Sequence, residues 1–279
     1  MHEDIVKQAA IKCVELASTN TMLDAMLSPL ISVRPVANGM GGRQVPIACM
    51  ATDRIKTIVL YAAADADAQL QIRFFLKLSK QPGFQDFMGQ MFKAFVQSWL
   101  YSFPGKEPIL CLPAVTGLPN LQISACGEKQ IAFFHGGSQI GSNLKKADLP
   151  LCLLPTTSQT FSNADAILLT DRFIITIQAT ISNYHSAPNE DSFNIIEKCL
   201  PPHLIEKSKD HWCHVFITDN DNNAASLRYQ TWSTLPKNIH VYSGVFDVGQ
   251  SGITRKHLEA INEIKVCGSW LHTVGAYRG

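Results

Sequence analysis

Three polar residues stand out in this 279-residue chain because their surroundings would hold them still: Asp165, Gln178 and Thr180. They punctuate two adjacent runs of apolar and β-branched residues, Asp165–Thr170 and Phe173–Ile181, which read as strands, with Asp171-Arg172 as the tip of a hairpin between them. In that register Leu169 faces Ile174, Ile167 faces Thr176 and Asp165 faces Gln178. Directly opposed residues place their Cβ atoms about 4.5–5.5 Å apart on one face of a sheet, and Thr180, two residues beyond Gln178, shares that face. An acid, an amide and a hydroxyl thus gather at the open end of an otherwise apolar hairpin. Leaving such groups unsatisfied when buried costs about 1–3 kcal/mol each. They must either hydrogen-bond to one another as a structural pin or form a site, and the residues alone leave both open. A slip of one residue would put Asp165 and Gln178 on opposite faces.

Other chemistry-bearing groups carry less. The glycine-rich segments at 39–46 (GMGGRQVP) and 135–142 (HGGSQIGS) lack the Lys-Ser/Thr that closes a phosphate-binding loop, and read as turns. No nucleotide cofactor is therefore expected. The run DNDNNA at 219–224 has Gln230, not an acid, at the twelfth position after Asp219, so it reads as a polar loop rather than a calcium loop. His211, Cys213 and His214, with Cys199 and His203 upstream, fit no structural zinc spacing. His185 reads as a loop histidine.

The elements that must position the hairpin follow from periodicity. Residues 1–32 read as helix, 33–46 as a loop or linker, and 52–80 as further helix, giving a helical N-terminal region over 1–80. The strongest helix is 84–101, where Phe84, Phe87, Met88, Met91, Phe92, Phe95, Val96, Trp99 and Leu100 form one apolar face. A Pro- and Gly-rich loop over 104–119 comes next, then strands at Ile131–Phe134 and Leu151–Leu154, the hairpin, a helix at 189–200, strands at Cys213–Thr218 and His240–Phe246 with a helix near 221–230 between them, and a tail helix at 254–264. This order describes an α/β protein, a mixed central sheet flanked by helices over 84–248, with 249–279 as a helical C-terminal tail.

Apolar residues at 46% and charged residues at 17% place the chain among globular proteins, and no apolar run is long enough for a membrane helix. The opening Met1-His2-Glu3-Asp4 lacks the features of a secretory signal. The eight cysteines contain no Cys-x-x-Cys pair, which suits buried thiols in a reducing compartment. Together these point to an intracellular protein of the cytoplasm or nucleus that does not act on membranes. A net charge of +1 offers no basic excess of the kind many nucleic-acid binders carry.

The segments PTTSQTFSNADAILLTDRFIITIQATIS (155–182), WCHVFITD (212–219) and LPKNIHVYSGVFDV (235–248) together resemble the C-terminal nuclease-like region of fungal Crinkler and retrotransposon-hot-spot-type proteins. The resemblance covers about 84–248 and implies a restriction-endonuclease-like PD-(D/E)XK fold. In that fold an Asp opening the second strand of the hairpin unit binds a divalent metal, and a Glu or Gln on the next strand, followed two residues later by Lys or a substitute, completes the site. Carried over residue by residue, the metal-binding Asp is Asp165, the Glu/Gln position is Gln178 and the Lys position is Thr180. The acid common on the first core helix falls on Lys93, with Asp86 seven residues earlier on the same helical face. The implied cofactor is Mg²⁺, which prefers carboxylate ligands and lowers the pKa of a bound water. Gln178 brings no charge, Thr180 no cation, and Lys93 repels one. The resemblance therefore implies either a divergent metal-dependent nuclease acting on DNA, its constellation altered and its activity weakened or gone, or a non-catalytic protein- or nucleic-acid-binding module, an effector or mobile-element remnant that retained the nuclease fold. Related proteins often carry a P-loop NTPase module ahead of this region, and these residues contain none.

Overall fold

The computed structural model describes residues 2–16, 30–37, 44–79, 81, 83–102, 105–127, 131–134, 149–155, 164–186, 190–200, 202, 212–230 and 239–260. The chain is a mixed α/β protein that divides into two compact units, one of Met1–Phe95 with Val248–Arg255, the other of Val96–Asp247 with Lys256–Gly279.

The first unit contains α1 (His2–Leu16), a two-stranded antiparallel ribbon of β1 (Ile31–Ala37) and β2 (Gln44–Met50), then α2 (Asp53–Asp65), α3 (Ala68–Leu78) and the first part of α4 (Gln85–Tyr101). The ribbon corrects two sequence expectations, helix up to residue 32 and a loop over 33–46; residues 17–29 and 38–43 of those segments lie outside the described residues. Pro35 and Pro46 argued against strands, yet they stand directly opposite each other. Ala51 N–H donates to Leu30 C=O at 3.0 Å, and bonded pairs alternate with unbonded ones along an antiparallel ladder. The Pro35–Pro46 pair falls on an unbonded position, where neither missing N–H is needed. The expected helix over 52–80 is two helices: Thr52 caps α2 by accepting from Ile55 N–H at 3.2 Å, and Asp67 caps α3 by accepting from Leu70 N–H at 2.9 Å. Phe74 meets Phe87 edge-on, and Phe75 packs against Phe92 and Phe95, so the aromatic stripe of α4 is core.

The second unit is built on an eight-stranded mixed sheet ordered β4-β3-β10-β9-β8-β7-β6-β5. Its strands are β3 (Ile109–Pro113), β4 (Leu121–Ile123), β5 (Ile131–Phe134), β6 (Leu151–Pro155), β7 (Ala166–Leu169), β8 (Ile174–Ala179), β9 (Trp212–Thr218) and β10 (Ile239–Val245). β6, β7 and β8 run antiparallel in succession, whereas β8, β9 and β10 are parallel. Parallel neighbours need crossovers, and the chain supplies α5 (Glu190–Cys199) between β8 and β9 and α6 (Asp221–Tyr229) between β9 and β10. β3 is a second correction: the segment 104–119, expected as a loop, contains the apolar run Ile109–Leu112, which pairs with β10 and β4.

One core gathers Leu151, Leu153, Ile167, Leu169, Ile174 and Trp212 from the sheet under Phe193, Ile196 and Leu200 around α5. A second joins Phe216 and Val241 to Leu227 of α6. β9 is buried along its full length, as a central strand covered on both faces should be. Residues 255–260 are helical, within the expected tail helix. The rest of that tail, the glycine-rich segment at 135–142, and His203 and His211 lie outside the described residues.

Candidate functional site

Thr170 closes the β7–β8 turn. Its N–H donates to Phe173 C=O at 3.0 Å, and its hydroxyl oxygen accepts from Phe173 N–H at 2.8 Å. This four-residue turn fixes the register: Leu169 opposes Ile174, Ile167 opposes Thr176, and Ala166 opposes Ile177. One residue before β7, Asp165 N–H donates to Ile177 C=O at 2.7 Å, extending the ladder.

Asp165 and Gln178 therefore meet. Asp165 Oδ2 accepts from Gln178 Nε2 at 3.0 Å and from the Ala179 backbone N–H at 2.9 Å. The Asp165 carbonyl accepts from Gln97 Nε2 at 2.9 Å, which ties the start of β7 to α4. Asp165 is buried, and so is Gln97. Gln178 turns its amide nitrogen to the carboxylate, and its Oε1 is buried without a hydrogen-bond partner among the described residues. Thr180 is also buried but engaged elsewhere: its N–H donates to Ile217 C=O at 2.9 Å, and its hydroxyl accepts from Ser182 N–H at 3.1 Å, ending the strand. Of the three residues singled out from sequence, two are joined by a hydrogen bond and the third caps the strand end.

Gln97 was invisible to the periodicity argument. Helix α4 offered a single apolar stripe by sequence, but residues 94–100 are all buried, Gln97 and Ser98 included. A buried amide must find partners. A glutamine between Val96 and Trp99 is the signal that could have flagged it.

A second polar group lies along the same strand. Thr176 Oγ1 is 2.8 Å from His214 Nδ1 and within 3.3 Å of the Cys213 carbonyl. The His214 ring packs edge-on to Phe193 and Phe216. Burial, reinforced by the nearby His185, lowers its pKa to about 3, so the imidazole is neutral. Beyond the strand ends, His185 and Gln230 lock together: His185 N–H donates to Gln230 Oε1 at 3.3 Å, and Gln230 Nε2 donates back to the His185 carbonyl. Asp219 Oδ1 accepts from the side-chain amides of Asn220 and Asn223, both at 2.9 Å, and Asn220 caps α6. The acidic loop thus serves as a helix start.

No protein-family model, curated protein or solved structure matches this chain.

The donor set can be tested against Mg²⁺. A hard divalent cation takes several oxygen ligands, carboxylates foremost. Here one carboxylate stands beside one amide, and that amide presents nitrogen rather than oxygen to it. Oδ2 already accepts two N–H bonds. Among the described residues no group of three or more His, Cys, Asp or Glu side chains gathers here or elsewhere. Along α4, Asp86 is exposed and Lys93 half-buried. These residues do not fit a Mg²⁺ site. They fit a structural pin, in which an anionic acceptor meets two donors and fastens the ends of two strands.

Proposed function

We propose that this chain is a non-catalytic binding module carried on a nuclease-like α/β sheet. The observation that carries the reading is the bonding of Asp165, whose carboxylate is held by Ala179 N–H and the Gln178 amide as part of the hairpin. The adjacency of an Asp opening one strand and a Gln on the next supports kinship with the restriction-endonuclease-like PD-(D/E)XK group that the sequence resembles. The bonding supports loss of the chemistry within it. DNA is the first partner to examine, because the resemblance points to it. No helix among the described residues is long and apolar enough to cross a membrane.

One feature favours the alternative of a weak metal-dependent endonuclease: the buried, unpartnered Gln178 Oε1 is an oxygen to which a cation could be drawn. Incubation with plasmid and single-stranded DNA in Mg²⁺ or Mn²⁺ separates the two. The module reading expects no cleavage by the wild type or by Asp165→Ala, with any DNA affinity retained in both. Metal-dependent cleavage by the wild type that disappears in a folded Asp165→Ala protein would establish the nuclease instead.

A further inference from the structure

A cavity of about 320 Å³ opens within the first unit, between the end of β2, the start of α2 and the start of α4. Cys49, Thr52, Asp53 and Lys56 line it on one side, Asp86 and Phe87 on the other. Sites for small molecules span about 300–1,000 Å³, so the space suits a compact ligand. Its walls carry a nucleophile and charges of both signs.

Among the described cysteines, Cys49 alone is half-buried rather than buried. It stands opposite Ser32 in the β1–β2 ribbon, and the two side chains meet. Cys49 Sγ lies 3.3 Å from Ser32 Oγ and donates to the Ser32 carbonyl at 3.5 Å. The hydroxyl is thereby placed to donate to the sulfur once the thiol gives up its proton. The Lys56 side chain is only 16% exposed, with Nζ 3.0 Å from Asp53 Oδ1, whose own side chain is 91% exposed. An ion pair so open to water on one side is held weakly, and a ligand carboxylate can take the place of Asp53. Asp86, exposed in the first turn of α4, offers an anion to an ammonium.

We propose that this cavity is a modification site, where a small disulfide bearing both ammonium and carboxylate groups forms a mixed disulfide with Cys49. Glutathione disulfide has that chemistry. A carboxylate of the reagent meets Lys56 and its ammonium meets Asp86, which brings its sulfurs to Cys49. The Cys49 thiolate attacks one sulfur of the reagent, a new S–S bond forms, and the original S–S bond breaks. The departing glutathione thiolate takes up the proton that Cys49 gave up. Cys49 is oxidised, the leaving sulfur is reduced, and no further oxidant is needed. The proposal stands apart from the functional reading above, because every residue in it belongs to the first unit.

The test incubates the full-length, folded protein with glutathione disulfide, quenches with an alkylating agent and maps the cysteine peptides by mass spectrometry. Cys49 is expected to gain one glutathionyl group, released by reductant. Recovery of Cys49 without the adduct, under conditions where the same reagent modifies it in the unfolded chain, would overturn the proposal. Recognition is read from a ratio of rates at Cys49, glutathione disulfide against the uncharged 2-hydroxyethyl disulfide. In Lys56→Gln that ratio is expected to fall by about threefold to fivefold, the worth of one exposed ion pair. An unchanged ratio would show an accessible thiol without a site, and would equally overturn the proposal. Because both reagents probe the same variant, the ratio cancels any general loosening that the substitution causes.

Discussion

His214 is neutral because it is enclosed between Phe193, Phe216 and Thr176, and this sets a pH dependence. Its folded-state pKa of about 3 lies below the ordinary 6.5, so as pH falls the unfolded chain takes up the proton first. The stability this residue contributes is present in full above pH 6.5. It is lost as pH drops from there towards 3, at up to about 1.4 kcal/mol per pH unit. His257, lowered by burial to about 4, acts in the same direction. Replacing His214 with Phe should flatten the acid limb of a stability–pH curve measured by denaturant titration, because Thr176 can still donate to the Cys213 carbonyl. An unchanged acid limb would mean that His214 is protonated in the folded state. At this scale the pairing of Asp165 with Gln178 was legible, because a two-residue period and a recognisable tip fix which side chains face each other. The partner of the Asp165 carbonyl was not. Gln97 sits on a helix whose apolar stripe predicts which face is buried, but not that neighbouring residues are buried too.

Elements were legible where one period dominated. The apolar stripe of α4 and the β-branched runs of β7, β8 and β9 declared themselves. β1, β2 and β3 did not, because Pro35, Pro46, Pro108 and Pro113 mimic loop punctuation. Proline is tolerated at unbonded ladder positions and strand ends, and only the pairing partner reveals that. The β3–β10 contact also explains a glycine inside a buried strand. A Cβ on Gly244 would lie 2.7 Å from Cys111 Sγ and 2.9 Å from the Leu110 carbonyl, so the two strands pass too closely for a side chain. Gly244→Ala should destabilise the protein by about 1–3 kcal/mol through overpacking, read as a lower denaturation midpoint at unchanged slope. A neutral result would show that β3 can move aside.

At the level of the whole molecule, the chain completes its first unit only near its C-terminal end. Residues 248–255 return to it, and Gln71 reads that segment as a neighbouring strand would: its Oε1 accepts from Ile253 N–H at 2.6 Å, and its Nε2 donates to Ile253 C=O at 3.2 Å. Arg255 adds two short contacts to the Asp65 carboxylate, at 2.6 and 2.7 Å. Truncating Gln71 to Ala strands a buried N–H and a buried C=O, at about 1–3 kcal/mol for each unsatisfied group. Amide hydrogen exchange should then quicken in α3 and around Ile253 before the strands of the second unit respond. Uniform quickening throughout would deny the segment that role. Sequence gave no sign of this return, since it rests on one glutamine and a single turn of chain far apart in number. What sequence did convey was the mixed α/β class and the order of most elements from residue 84 onward.

The proposed role of Asp165, holding strands rather than an ion, is tested most directly by unfolding free energies with and without Mg²⁺. In metal-free buffer Asp165→Ala should lose about 1–3 kcal/mol, having left Ala179 N–H and the Gln178 amide without their acceptor. Millimolar Mg²⁺ should then alter neither protein, because a ligand stabilises only the state that binds it. A wild type that gains stability with rising Mg²⁺, beside an Asp165→Ala variant that does not, would contradict it.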